Sequence, residues 1–92
     1  MARLKTDATE AQIQDWCCTY LARALRLKAE KIDRTATFAS IGLDSAEALF
    51  LVSALEDWSG LDLDSDTAYE HPSVAQLSRF VIECIQAQSP GR

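Results

Sequence analysis

Few residues in this 92-residue chain have chemical capacity. There is one histidine, His71, and there are three thiols, Cys17, Cys18 and Cys84. One hydroxyl stands out by its setting. Ser45 lies in FASIGLDSAEALF, directly after Asp44 and shortly after Gly42, where an irregular stretch gives way to an apolar helical one. Three roles compete for it. A hydrolase nucleophile would sit in a G-x-S-x-G elbow, but Glu47 stands where the second glycine belongs, no strand precedes the serine, and His71 lies in another segment. A helix cap is equally served by serine or aspartate. A site of modification is the third role, because a phosphoester at a helix N-terminus meets free backbone N–H groups and the positive end of the helix dipole. Another enzyme would then make the bond, which accounts for an alcohol with no base of its own. The residues by themselves argue against catalysis and leave cap and modification open.

Metal chemistry is poorly supplied. Zinc takes four ligands, and one histidine with adjacent Cys17 and Cys18 and a distant Cys84 does not furnish them. Asp62, Asp64 and Asp66 alternate as in a calcium loop. However, Thr67 stands where that loop needs glycine, and Ser73 where it needs the closing glutamate. No metal site is expected. An odd cysteine count with two thiols adjacent argues for reduced cysteines in a cytoplasmic protein.

Helices must position Ser45. Asp7 with Glu10, or Thr9 with Gln12, reads as a helix start. Ile13, Trp16, Cys17, Tyr20, Leu21, Ala24 and Leu25 then recur on one helical face, which predicts a helix over about residues 8–27. Trp16, Tyr20 and Cys17 read as core; Cys18 falls beside that face, as the more reactive thiol. Residues 28–43 show no period, and Ile32, Phe38 and Ile41 are spaced to pin this long connection onto the helices. Gly42 permits a positive φ or a close backbone approach. A second helix starts at Asp44 or Ser45 and stops near Ser59–Gly60. Its apolar residues are too many for one face, so it is either the central helix or it presents surface to a partner. A helical turn is expected around Ser65 to Tyr69. Ser73 then caps a last helix, with Gln76 closing a capping box and Val74, Leu77, Val81 and Ile85 as its stripe. The expected fold is all-α, an antiparallel four-helix bundle of three main helices and a short third one. Its bounds are an N-terminal extension over 1–7, a domain over 8–87 and a flexible tail over 88–92.

The net charge of −5 is unevenly placed. Residues 1–34 hold seven basic and five acidic side chains, whereas residues 35–92 hold two and nine. The acidic half is ill suited to phosphate backbones, so no nucleic acid is expected, and it favours partners with basic patches. The longest apolar run, Ala46 to Leu55, is too short to span a bilayer and contains Glu47. No membrane association and no signal peptide are expected.

The stretch FASIGLDSAEA resembles the phosphopantetheine attachment motif of acyl carrier proteins through Phe38, Ile41, Gly42, Asp44 and Ser45. LEDWSGLDLDSDTAYEHPSVAQLSRFV is similar to the end of helix II, the short helix III and the start of helix IV in polyketide-type carriers, so the likeness covers about residues 10–87. It implies a non-catalytic carrier whose 4'-phosphopantetheine, taken from coenzyme A, is attached at Ser45 and holds acyl groups as thioesters. Gly42 and Asp44 belong to that site, with Asp44 orienting the serine toward a phosphopantetheinyl transferase and its magnesium. The implied partners are that transferase, an acyl-loading enzyme (an acyl-AMP ligase or an acyltransferase), and a ketosynthase or other acyl-processing enzyme. They would dock on helix II through Ala46, Glu47, Phe50, Glu56 and Asp57. The carrier is expected to be a cytoplasmic monomer, freestanding, with a module excised from a larger synthase as the alternative.

Two positions depart from the family pattern. Leucine or methionine usually follows the serine, and here Ala46 does. One turn on, a commonly polar or acidic position holds Phe50. Residues four apart share a helix face, so Phe50 is expected to replace the missing apolar contact and to tune partner choice. LEDWSGLDL and YEHPS look more like polyketide or fatty-acyl-AMP-ligase-linked carriers than like the housekeeping fatty-acid carrier, and that resemblance implies a polyketide or specialised lipid pathway. The alternatives are a peptidyl or aminoacyl carrier of nonribosomal peptide synthesis, or a helical adaptor that only retains the fold.

Overall fold

The computed structural model describes residues 9–88. Within them the chain forms α1 (Glu10–Leu25), a 3-10 turn (Ala29–Lys31), α2 (Ser45–Ser59), α3 (Thr67–Glu70) and α4 (Val74–Gln88). This is the expected antiparallel four-helix bundle with a short third helix. The expected extension over 1–7 lies outside the described residues, as do residues 89–92 of the expected tail. Gln88, the first expected tail residue, is still helical.

Local chemistry sets the ends. Thr9 caps α1 in a reciprocal box with Gln12, while the alternative at Asp7 lies outside the described residues. Arg26 ends α1 in the left-handed region at φ 59°, and Gly60 ends α2 there at φ 78°. Ser73 Oγ accepts the Gln76 N–H at 3.1 Å, as expected of a cap. The glutamine closes the contact side chain to side chain, with the Ser73 hydroxyl donating to Gln76 Oε1 at 3.0 Å.

Ile13, Cys17 and Leu21 of α1, Leu51, Val52 and Leu55 of α2, and Val74, Leu77, Val81 and Ile85 of α4 fill the core. α1 packs most extensively on α4 and also on α2, and α2 carries α3. Trp16 stacks on Trp58 with ring centroids 4.9 Å apart, which joins the first half of α1 to the last turn of α2. Two helical-face expectations change. Ala24 is exposed, and Cys18 is as buried as Cys17. For Cys18 the reason is that α1 is covered from two sides, by α4 and α2, which widens its buried arc beyond a single stripe. Burial pushes the Cys17 thiol up to about 12 against a smaller opposing effect of the Ser78 hydroxyl, and it raises Cys18 as well. Neither is therefore a reactive thiolate near neutrality.

The long connection is held at several points. Ile32 and Phe38 are buried and Ile41 is half-buried, as expected, and Leu43 joins them. Arg34 reaches α1, donating to Gln14 Oε1 at 3.0 Å and to Asp15 Oδ1 at 2.8 Å. Its backbone carbonyl accepts the Ala75 N–H at 2.8 Å, and the Phe38 N–H donates to the Pro72 carbonyl at 2.7 Å. The segment before α2 is thus tied to both α1 and the start of α4.

Candidate functional site

The turn that presents Ser45 is built from its own backbone. The N–H groups of Ile41, Gly42 and Leu43 donate to the carbonyls of Thr37, Ala39 and Phe38. Gly42 has φ 101°, a conformation that L side chains rarely adopt. An added Cβ there would meet only Leu25 Cδ2, at 4.0 Å, so the requirement is conformational rather than steric.

Asp44 is the N-cap of α2 and Ser45 is its first helical residue. Asp44 Oδ1 accepts the Glu47 N–H at 2.8 Å, and Glu47 Oε1 accepts the Asp44 N–H at 3.3 Å. The cap role therefore belongs to aspartate and leaves the serine free of it. The Ala48 N–H bonds to the Asp44 carbonyl. Among the described residues the N–H groups of Ser45 and Ala46 have no backbone acceptor, and the exposed Ser45 hydroxyl has no hydrogen-bond partner. An alcohol, two free donors and the positive end of α2 thus converge at one exposed corner.

Ser45 opens onto a cleft of about 520 Å³ between the 37–43 turn, α2 and α3. Phe38, Leu43, Ala48, Leu49 and Ala68 supply apolar walls, and Asp66 and Tyr69, from the α3 segment, also line it. His71 is elsewhere. It stacks on Phe80 with centroids 4.2 Å apart and lines a different cleft with Arg79 and Glu83. Serine and histidine are therefore not brought together. Among the described residues no group of three or more His, Cys, Asp or Glu side chains is arranged to hold a metal. No helix among them is long and apolar enough to cross a membrane.

The other singled-out residues divide. Ala46, Phe50 and Asp57 are exposed on α2. Glu47 is half-buried and engaged with Asp44. Glu56 is half-buried and accepts the Leu63 N–H at 2.7 Å, so it organises the α2–α3 connection. Sequence reasoning overlooked Leu49, Asp66 and Tyr69 at the cleft. Leu49 was lost in an apolar run without a clear face. The segment of Asp66 and Tyr69 is too short for a helical period to show which way its side chains turn.

Comparison with known proteins bears on this corner. Residues 15–81 match the model of the family described as phosphopantetheine attachment site. The chain is 31% identical over 78 residues to the acyl carrier protein TtuC of Teredinibacter turnerae, across 85% of this chain and 90% of that protein. It is 40% identical over 67 residues to the non-reducing polyketide synthase VdtA of Byssochlamys spectabilis, across 65% of this chain but only 3% of the synthase. Among solved structures, a free-standing peptidyl carrier protein from an uncharacterized Acinetobacter baumannii secondary metabolic pathway aligns with a TM-score of 0.80 at 29% identity. That alignment covers 89% of this chain and 100% of the other. An acyl carrier protein from Anabaena with a variant phosphopantetheinylation-site sequence aligns with a TM-score of 0.79 at 30% identity, covering 92% and 99%. Such domains hold 4'-phosphopantetheine covalently, catalyse nothing themselves, and work with a phosphopantetheinyl transferase and synthase enzymes. With the family match spanning most of its length, this chain belongs to the phosphopantetheine-attachment family and is a carrier protein.

Proposed function

We propose that Ser45 is the attachment point and that the protein carries acyl intermediates for a polyketide or specialised lipid pathway. One observation carries the reading: the Ser45 hydroxyl is exposed at the first position of α2, released from capping by Asp44. The donor set suits a phosphodiester, since the free N–H groups of Ser45 and Ala46 and the dipole of α2 favour an anion there. Attachment forms a bond from Ser45 Oγ to phosphorus and breaks the pyrophosphate of coenzyme A, releasing adenosine 3',5'-bisphosphate. The serine proton leaves to a base of the transferase. Once attached, the group supplies the thiol on which acyl chains are held as thioesters. Gly42 and Asp44 act by shaping the turn and the cap. Docking by the transferase, the loading enzyme and a ketosynthase is assigned to the exposed face of α2 at Ala46, Phe50 and Asp57, flanked by Glu47 and Glu56. We take the protein to act as a monomer in the cytoplasm.

The test is an intact mass after incubation with coenzyme A and a broad-specificity phosphopantetheinyl transferase. The wild type gains one phosphopantetheine and Ser45→Ala gains none; modification of Ser45→Ala would refute the assignment.

A peptidyl carrier is the second reading, favoured by the likeness to the free-standing peptidyl carrier protein. Offering the modified protein to an acyl-AMP ligase with fatty acids, and to an adenylation enzyme with amino acids, separates the two by the mass of the thioester formed.

A further inference from the structure

The positive charge of this acidic chain gathers where α1 ends. Arg23, Arg26, Lys28 and Lys31 follow one another closely, with Glu30 as the one acid among them. All four cations are exposed, and none has an ion pair or a side-chain hydrogen bond among the described residues. The remaining cations of the described residues are taken, Arg34 by Asp15 and Arg79 by Glu83. Nearby Asp33 is occupied by its own turn, where it accepts the N–H and the hydroxyl of Thr35. The dipole of α1 accounts for a cation in the last turn, which Arg23 supplies, but it does not reach Lys28 and Lys31. Arg26 has φ 59° and is the one non-glycine residue with a positive φ among the described residues. Glycine is favoured at such a helix stop, so an arginine there opposes the local backbone preference. Leu27 follows and is 45% exposed. Upstream, Trp16, Tyr20 and Arg23 share one side of α1 by their spacing. Trp16 stacks on Tyr20 with centroids 5.6 Å apart and on Trp58, and all three rings are half-buried. An aromatic strip on the α1–α2 seam thus runs toward a cationic end with an uncovered leucine. None of these residues lines the cleft of Ser45.

We infer that the exit of α1 is a second docking surface, whose occupant is an acidic amphipathic helix on a partner protein. Its carboxylates meet Arg23, Arg26, Lys28 and Lys31, and one of its apolar side chains covers Leu27. Charge complementarity selects this occupant. No lysine or arginine occurs between residues 35 and 78, so an acidic partner is attracted here and repelled along most of the chain, which fixes where it lands. A helix suits the shape. From Trp16 to Leu25, α1 presents about 14 Å of ridge at 1.5 Å per residue, against which a second helix packs side by side. Because the surface shares no residue with the Ser45 cleft, a partner held here leaves Ser45 accessible to other proteins. The inference does not depend on the role of Ser45.

The probe is a synthetic peptide of about 18 residues, five helical turns, with leucine at helical spacing, glutamate and alanine elsewhere, and no tryptophan. Both tryptophans of the chain, Trp16 and Trp58, lie in the strip, so their emission reads its occupancy. The full chain is expected to bind the peptide, less tightly as salt rises. Leu27→Glu weakens binding roughly tenfold, and K28E/K31E weakens it at low salt and flattens the salt dependence. Arg26→Gly weakens binding about threefold without lowering the melting temperature, because glycine suits that φ; its loss of binding is therefore loss of charge and not of fold. Every variant takes up phosphopantetheine from coenzyme A and a broad-specificity transferase at the wild-type rate. A wild type that does not bind the peptide overturns the inference. So does Arg26→Gly binding as the wild type does, or equal binding of a peptide with lysine in place of glutamate. Preference for phosphatidylglycerol vesicles over the peptide also overturns it, because a membrane is then the occupant. Slowed phosphopantetheinylation of the variants does the same, because the surface then belongs to the transferase.

Discussion

Asp44 and Glu47 clasp each other across the first turn of α2, each side chain accepting the other's backbone N–H, at 2.8 Å and 3.3 Å. The clasp takes up the capping requirement of the helix and leaves the hydroxyl between them, on Ser45, without a structural task. Asp44→Ala should therefore destabilise the fold by about 1 kcal/mol, a fall in melting temperature of roughly 4–8 °C. Asp44→Asn, which can still accept the N–H, should melt close to the wild type. Thermal denaturation by circular dichroism reads both.

Glu56 is built into the fold through the Leu63 N–H. Glu56→Ala should lower stability by about 1.5–3 kcal/mol, as expected for losing a hydrogen bond to a charged acceptor, while Glu56→Gln keeps the acceptor and loses less. Urea denaturation of the two variants distinguishes a structural acceptor from a merely exposed charge. For the latter, both substitutions would be neutral.

The Cys17 thiol, raised by burial from an ordinary value of 9.0 to about 12, gives a pH dependence of known sign. In the unfolded chain it ionises near 9, whereas the fold retains its proton to about 12. The unfolded state thus binds fewer protons across that window, and stability falls as pH rises through it. The contribution is complete below about pH 9. Cys18 and Cys84 are also raised, chiefly by burial, and act in the same direction. Urea midpoints measured from about pH 8 to about pH 11 should decline, and Cys17→Ala should make the decline shallower.

Phe50→Glu should slow acyl loading by a larger factor than it slows phosphopantetheinylation. A loading enzyme must hold carrier and acyl substrate together, and a lost anchor weakens that complex first. Parallel rates on the same modified protein check this; equal factors would refute a role for Phe50 in partner choice.

The helices and their ends were legible because they depend on neighbours in the chain. The Thr9–Gln12 box, the stop at Gly60 and the α4 stripe of Val74, Leu77, Val81 and Ile85 all follow from spacings of three or four residues. Ser45 was legible for the same reason, as a hydroxyl beside a capping acid and a glycine. Cys18 was misjudged, because its burial depends on how two other helices cover α1. The capping role at the head of α2 was open between Asp44 and Ser45, because either side chain can accept the same N–H.

From the sequence alone came the all-α class, the turn with its needed glycine, and the hydroxyl at the head of a helix, since each is dictated by contacts a few residues apart. Tertiary structure decided which charges are free. It turned Glu47 and Glu56 to internal use, faced Asp62 and Asp64 outward, left Phe50 uncovered, and set Ser45 on a cleft that it shares with Asp66 and Tyr69 of a later segment. Those outcomes depend on which surfaces meet when helices pack, and periodicity along one helix carries no information about that.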